Sequence, residues 1–175
     1  HAGQITTTDL TISLPPTLNF EPFGGYSKIA AVERHHNTGK IGVAVAKGYG
    51  IRNGAVASSV SHDSHNIIVI GDNDVDMAIA VNEIIRTQGG YTVVENGKVY
   101  ETLALPIMGL MSDVGFENVN EALQRMIQKA HQMGVAAQID PFVTLSFLAL
   151  PVIPELRITP RGICKMTAKG PAILS

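Results

Sequence analysis

The chain has 175 residues, of which 45% are hydrophobic, and carries a formal net charge of -2. This length suits one domain with a real core, and it is short of the ~250 residues that an eight-unit barrel usually needs. The charge balance argues against a nucleic-acid partner, and the one cysteine, Cys164, excludes an internal disulfide and multi-cysteine metal sites. We therefore expect a cytoplasmic protein in which any metal is held by His, Asp or Glu.

The N-terminal 25 residues are predicted to form a strand, over 5–14, and a lead-in, over 13–25, whose three prolines and two glycines resist regular pairing. The chain begins with His1 and has no basic start or apolar centre, so a signal peptide is not predicted. We expect residues 1–175 to form a single domain that is a fragment or a trimmed product.

Two amphipathic helices are predicted. The first covers about 74–88, because Asn73 can cap its start, Gly89 can end it, and four apolar residues share one face at helical spacing. Those four residues are Met77, Val81, Ile84 and Ile85. The second helix covers 117–134 and has a longer apolar stripe, with acidic residues early and basic residues late. This stripe consists of Val119, Ala122, Leu123, Met126, Ile127, Ala130 and Met133.

Most of the remaining chain is rich in β-branched residues and is predicted to form short strands. These strands fall within 26–35, 40–49, 66–72, 91–105 and 155–166. Asn96 and Gly97 tolerate the positive φ of a tight turn, so 91–105 is expected to be an antiparallel hairpin, and Thr38 and Gly39 predict a second hairpin turn. The fold class is therefore α+β, a layered domain of mostly antiparallel sheet with two main amphipathic helices, and an αββα sandwich is one arrangement of such layers.

The apolar run 142–154 has to be weighed as a membrane span. It contains Thr144, Ser146 and two prolines, and it is shorter than the ~20 apolar residues that would cross a bilayer. The run is predicted to belong to the core, and no membrane partner is expected.

Residues 58–67 contain two histidines, an aspartate, an asparagine and four serines, directly before an apolar strand. If the segment is a loop, His62 and His65, with Asp63 between them, could bind a metal or shuttle protons. The alternative is a polar turn in which Asp63, Asn66 and the serines satisfy backbone groups before the strand begins. The residues by themselves leave both interpretations open.

A second polar cluster occupies 32–36. On a strand end, Glu33 and His35 would share one face, with Arg34 and His36 on the other, so the carboxylate could orient an imidazole. The alternative is an exposed strand end before a hairpin turn.

The segment 103–113 connects the predicted hairpin to the second helix. Ser112 and Asp113 could form either a turn or a ligand contact. Met108 and Met111 could line an apolar pocket, although methionine is more often adaptable core filling.

Three long blocks, 54–84, 103–113 and 140–163, resemble in that order the C-terminal domain of bacterial adenine deaminases of the amidohydrolase superfamily. Within them the run "SHDSHN" stands at the family's corresponding "HDSHN" block. The segment "VERHHNTGKIGVAVAKGYGI" also looks like the family's preceding segment, so the resemblance covers about 29–164.

This resemblance implies hydrolysis of adenine to hypoxanthine and ammonia by a metal-dependent barrel that precedes the domain in the same polypeptide and is absent from this chain. Manganese or iron would be held mainly by ligands in that barrel. The implied partners are adenine, the barrel and further copies in a homo-oligomer. The competing functions are a non-catalytic purine- or metal-binding module and a purely structural assembly domain.

The resemblance also assigns roles to the polar residues, because purine nitrogens require matched donors and acceptors. His62, Asp63 and His65 are expected to be catalytic, and His62 and His65 are also expected as metal ligands. The expected substrate-binding residues are Ser64, Asn66, Glu33, His35 and Asp113.

Overall fold

The structure is a computed structural model, and it describes residues 6–10, 12–13 and 20–174. The strands in these residues are β1 (Tyr26–Val32), β2 (Ile41–Lys47), β3 (Gly54–Ser58), β4 (Ile67–Gly71), β5 (Gly90–Glu95), β6 (Lys98–Ala104), β7 (Leu156–Thr159), β8 (Gly162–Thr167) and β9 (Gly170–Ile173). The helices are α1 (Asp74–Arg86), α2 (Phe116–Gln132) and α3 (Pro141–Leu148).

Six strands form one sheet in the order β2-β1-β4-β3-β5-β6, and β7, β8 and β9 form a small second sheet. All neighbouring strands pair antiparallel. Both predicted hairpins are present: β5 and β6 are joined through Asn96 and Gly97, whose φ angles are 49° and 78°, and β1 pairs with β2. The predicted α+β class is confirmed.

Apolar layers cover both faces of the large sheet. On one face, α1 buries Met77, Ala80 and Ile84 against alternate residues of β1, β3 and β4. On the other face, α2, α3 and the small sheet share a second, larger core. Because β3 and β4 are central and covered on both sides, every residue in them is buried. The small sheet lies in the same layer as α2 and α3, so it does not form the separate sheet layer of an αββα sandwich.

β3 has no counterpart among the predicted strands. Its sequence, "GAVAS", consists mostly of small residues and lacks the β-branched run that marks a strand. The small residues let α1 approach closely: a Cβ added to Gly71, on the neighbouring strand, would lie 2.6 Å from Cγ of Met77 and 3.0 Å from Cβ of Ala55. Close packing between α1 and the sheet therefore requires small residues in β3, and small residues do not give the pattern from which a strand is predicted.

α3 was also not predicted as a helix, although its run was correctly expected in the core. The carboxylate of Asp140 caps its start by accepting the backbone N–H groups of Phe142 and Val143, at 2.9 and 2.8 Å. Phe142 and Leu145 are buried, whereas Val143 is 53% exposed. Among the described residues, the structure contains no helix with the length and apolar character needed to cross a membrane.

Two details of the prediction are wrong. Ile85 does not join the buried face of α1 but is 56% exposed, and Ala80 lies at the centre of that face. Residues 6–10 and 12–13 are not part of a strand, and the rest of the predicted strand 5–14 lies outside the described residues. Instead, the hydroxyl of Thr7 donates a hydrogen bond of 2.8 Å to the carbonyl of Leu156 at the start of β7.

Asn73 confirms the predicted start of α1 and organises a buried polar network. Its side-chain oxygen accepts the N–H of Asp76 at 2.8 Å, and its amide nitrogen donates to the carboxylates of Asp72 and Asp76 at 2.9 and 2.8 Å. Asp72 accepts the N–H of Gly54, and Asp76 accepts the N–H of Gly97, at 2.9 and 2.7 Å. One amide therefore ties the helix start to β3 and to the β5–β6 turn.

Replacing Asn73 by alanine should lower the free energy of unfolding by about 1–2 kcal/mol, the usual effect of losing an N-cap side chain. The change also removes a donor from two buried carboxylates. Urea unfolding at neutral pH measures it. Asn120→Ala, at an exposed position on α2, is the matched control and should change stability by less than ~0.5 kcal/mol. Equal effects of the two substitutions would contradict the network.

Candidate functional site

Strand direction brings the predicted polar segments to one end of the large sheet. The C-terminal ends of β1, β3 and β6 and the N-terminal ends of β2, β4 and β5 lie at the same edge. The connections that leave this edge are 33–40, 59–66 and 105–115. The sequence-predicted site residues all lie in these three connections.

We call residues 59–66 the histidine loop. The N–H of His65 donates to the carbonyl of Ser61 at 2.6 Å, and the N–H of Ser61 donates to Nδ1 of His65 at 3.3 Å. The N–H of His62 donates to the carbonyl of Ser146 in α3 at 3.2 Å. Because Nδ1 of His65 accepts a hydrogen bond, its neutral ring carries the proton on Nε2, where it can donate.

The two imidazoles lie close together on the surface of this loop. Their ring centroids are 6.0 Å apart at an interplanar angle of 61°, and the ring of His62 also packs on Phe147, with centroids 5.1 Å apart. Nδ1 of His62 is 3.7 Å from the carboxylate of Asp63, which is 85% exposed. Residues 62–64 form a turn within this connection, so both interpretations describe part of it: the turn closes on its own backbone, and it also presents two partly exposed imidazoles and an exposed carboxylate.

The loop does not contain a complete metal site. Within the described parts of the chain, no three His, Cys, Asp or Glu side chains are grouped so that they could hold a metal ion. A protein metal site commonly uses three or four side-chain ligands, and Nδ1 of His65 already accepts a hydrogen bond. The described residues by themselves therefore do not make a site for the manganese or iron that the family resemblance implies, since His62 and His65 have no third ligand among them.

Arg34 connects the histidine loop to the connection that follows β6. Its Nε donates to the carbonyl of His65, and its Nη2 donates to the carbonyl of Met108 at 2.8 Å. Its backbone N–H donates to the side-chain oxygen of Asn66 at 3.2 Å. The guanidinium lies directly over Gly109, where an added Cβ would be 2.7 Å from Nη2. Arg34 thus positions both segments at once.

The predicted substrate-binding residues Ser64, Asn66 and His35 are brought together, but largely by contacts among themselves. The amide nitrogen of Asn66 donates to the hydroxyl of Ser64 at 3.1 Å. Nε2 of His35 is 2.6 Å from the carbonyl of Ser64 and donates to it. Asn66 is buried, whereas Ser64 is exposed. These contacts hold the loop in shape, and they use the groups that the prediction assigned to a substrate.

Glu33 has a structural role in the β1–β2 connection. Its carboxylate accepts the backbone N–H groups of His35, His36 and Thr38 and the hydroxyl of Thr38, at 2.5 to 3.1 Å. These bonds, chiefly the one from the N–H of Thr38, lower the pKa of Glu33 to about 2. The predicted strand therefore ends at Val32 rather than at His35, and the carboxylate binds backbone N–H groups instead of orienting an imidazole.

The connection after β6 is exposed and apolar. Met108 is 76% exposed and Met111 is 54% exposed, so neither fills the core. Asp113 is also exposed, on the segment that leads into α2. Ser59 holds this connection against the sheet, because its buried hydroxyl donates to the carbonyl of Gly109 at 2.6 Å and accepts the N–H of Gly90 at 2.8 Å.

Sequence reasoning missed Arg34, Ser59 and Phe147 as members of the site. Arg34 and Ser59 lie within the polar segments 32–36 and 58–67, but their partners are carbonyls 74 and 50 positions away, which no local pattern reveals. Phe147 was noted only as part of an apolar run. A shallow depression lined by Lys40, Ile41, Pro160 and Arg161 includes none of the predicted site residues.

The electrostatics of the loop favour a neutral His65. Burial, followed by the positive charges of His62 and Arg34, lowers the pKa of His65 below its usual 6.5. The neutral ring, with its Nε2 proton, is therefore the form expected at neutral pH.

Comparison with known proteins gives one family and several close relatives. Residues 4–169 match the family model described as "Adenine deaminase C-terminal domain". The chain is 51% identical over 162 residues to an adenine deaminase of Desulfitobacterium hafniense, a match that covers 92% of this chain and 28% of the relative. It is 52% identical over 145 residues to an adenine deaminase of Nitratidesulfovibrio vulgaris (82% and 25%), and 43% identical over 163 residues to one of Bacillus subtilis (92% and 28%). The chain thus spans about a quarter of the length of these curated relatives.

Glu33 should make stability depend on acid pH. Its pKa is about 2 in the folded state against an ordinary 4.5, so its stabilising contribution is complete above pH 4.5 and is lost as the pH falls towards 2. Urea unfolding between pH 6 and pH 2 should show a smaller loss for Glu33→Gln than for the unaltered chain. Thr38→Val, which removes one of the hydrogen bonds, should give an intermediate result, and parallel profiles for all three proteins would contradict the assignment.

His65 should titrate below pH 6.5 in an NMR titration of the ring nitrogens, because burial and two nearby cations oppose its protonation. Since its folded pKa is lowered, protonation of His65 disfavours the folded state as the pH falls below 6.5. His62→Gln should raise the pKa of His65 by removing one of those charges. His36→Gln, in the exposed β1–β2 connection, is the control and should leave it unchanged, whereas titration of His65 at or above 6.5 would contradict the geometry.

Proposed function

The chain belongs to the adenine deaminase C-terminal domain family, and from this premise we propose that it is the C-terminal domain of an enzyme that deaminates adenine. We further propose that its histidine loop completes the active site of the preceding part of that enzyme. The observation that carries the second proposal is the pair of imidazoles, held 6.0 Å apart by bonds from their own backbone groups and partly exposed at this end of the sheet.

The loop is suited to contact a purine without reorganising. Its backbone is fixed by Ser61, Ser146 and Arg34, so two imidazoles and a carboxylate are presented in a set geometry. A purine ring offers acceptor nitrogens, and the amino group of adenine offers donors. In the proposed complex, Nε2 of His65 donates to a ring nitrogen, and Asp63 accepts from the amino group. Preorganised donors and acceptors of this kind discriminate strongly against bases that lack the matching groups.

The metal chemistry of the reaction is proposed to lie outside this chain. His62 and His65 do not form a site of three ligands with any other described residue, and the histidine loop therefore acts on the base rather than on the metal. In this proposal, His62 and Asp63 form the pair that can hold and pass on a proton at the edge of the site, because Nδ1 of His62 lies 3.7 Å from the carboxylate of Asp63.

A purely structural role is the competing function, and two contacts favour it. The carboxylate of Glu33 and the side chain of Asn66 bind local groups, as they would in a turn that only stabilises the domain. These contacts account for the shape of the loop. They do not account for the exposed carboxylate of Asp63 beside the ring of His62, which such a turn would not require.

The proposal is tested in a chimaera in which this chain replaces the matching 28% of the Desulfitobacterium hafniense relative. The unaltered chimaera should deaminate adenine. His62→Ala and His65→Ala should each lower kcat/KM by about tenfold to a hundredfold, a moderate share of what proton transfer or base recognition contributes. Metal content should not change, because the proposed ligands lie in the other part of the protein.

His36→Ala is the matched control, since it removes an exposed imidazole from the neighbouring connection. It should leave both kcat and KM as in the unaltered chimaera. Normal kinetics for both His62→Ala and His65→Ala would exclude the histidine loop from the site. A folded, metal-loaded chimaera that does not act on adenine would contradict the proposed activity itself.

A further inference from the structure

Five large apolar side chains are exposed next to the histidine loop. We call them the apolar ridge, and they lie within ten consecutive residues between β6 and the first turn of α2. They are between 44% and 78% exposed. The members are Ile107, Met108, Met111, Val114 and Phe116. Single exposed apolar residues are common, but a contiguous group of this size usually marks a contact surface.

The ridge is held in place and is not a loose loop. Ile107 and Met111 exchange two backbone hydrogen bonds of 3.2 Å, which close the turn between them. The carbonyl of Met108 accepts from Arg34, and the carbonyl of Gly109 accepts from Ser59. A surface that is already ordered loses little conformational entropy when a partner binds, so this geometry favours docking.

A second apolar border, on α3, contacts the histidine loop. Phe147 contacts the ring of His62, and Val143, one turn earlier in α3, is exposed. Arg34 joins the ridge to His65. The histidine loop is therefore in contact with α3 through Phe147 and is joined to the ridge through Arg34. A partner seated on both borders would enclose the polar groups and remove bulk water from them.

We propose that the apolar ridge is the surface on which the preceding part of the same adenine deaminase polypeptide docks. The inference rests on the proposed function. The chain covers only 25 to 28% of the three relatives described above, so most of such an enzyme lies outside it. Arg34 joins the ridge to the histidine loop, which is proposed to complete the active site of the preceding part. A partner that covers this loop would therefore also reach the exposed apolar side chains of the ridge.

A second copy of this chain fits the ridge less well. Another copy would cover the histidine loop without supplying the metal-binding part of the enzyme, because the described residues contain no group of three metal ligands. The partner surface should have an apolar centre that receives Met108, Met111 and Phe116. It should carry a basic residue at its margin, facing the exposed carboxylates of Asp113 and Glu117.

The test uses the chimaera described above and hydrogen exchange of its backbone amides. Residues 105–116 should exchange more slowly in the chimaera than in the isolated 175-residue chain, because docking covers them. Met108→Glu and Phe116→Glu together should abolish this extra protection and lower kcat/KM for adenine by about tenfold or more. Thermal unfolding of the isolated chain should be the same with and without the two substitutions, since both side chains are exposed.

Val75→Glu is the control, because Val75 is 66% exposed on α1, which covers the opposite face of the sheet. It should change neither protection nor activity. Unchanged protection in the chimaera, or protection that survives the double substitution, would overturn the docking surface. This readout does not depend on turnover, so an inactive chimaera that still protects 105–116 would contradict the proposed activity and support the docking surface.

Sedimentation of the isolated chain tests whether a second copy of the chain, rather than the preceding part of the polypeptide, binds the apolar ridge. We expect a monomer at micromolar concentration. A dimer that the double substitution converts to monomer would overturn the proposal and assign the ridge to contacts between copies.

Discussion

The guanidinium of Arg34 is the contact on which the arrangement of the candidate site depends. It extends from the end of β1 to the carbonyls of His65 and Met108, and so fixes two connections that are distant in sequence. Its rigid plane presents several N–H donors in different directions, which a lysine ammonium on a flexible stem would not reproduce. Burial lowers the pKa of Arg34, and the two carbonyl dipoles replace part of the water that its charge has lost. The polar loop and the apolar ridge thus behave as one surface.

Elements with strong local signals could be predicted from the sequence. The stripe of α2 packs against the core as expected, the Asn96–Gly97 turn forms a hairpin, and Asn73 caps the start of α1. Elements defined by tertiary packing could not be predicted. β3 is built of small residues because α1 lies close to it, and α3 is apolar on nearly all sides, so neither has a periodic pattern that identifies its type.

The candidate site divides in the same way. The cluster around His62 and His65 was visible because polar residues of this kind are unusual before a buried strand. The roles of the residues in the second cluster, 32–36, could not be predicted, because the interpretation from sequence assumed that β1 continues beyond Val32. Once the strand ends there, alternation of faces no longer applies, and Glu33 turns to the backbone while Arg34 points to the loop. Met108 and Met111 had the composition of core residues, and only the path of the chain places them outside.

The hydrogen bond from the N–H of His62 to the carbonyl of Ser146 connects the histidine loop to the C-terminal part of α3. The last carbonyls of a helix have no partner within the helix, and α3, with eight residues, makes only about two turns. The histidine loop supplies a donor for one of these carbonyls and so serves as part of the helix terminus. The loop and the end of α3 therefore stabilise each other. A change that displaces the backbone of His62 also removes a hydrogen bond from the end of the helix, and a contact that orders the helix also orders the loop.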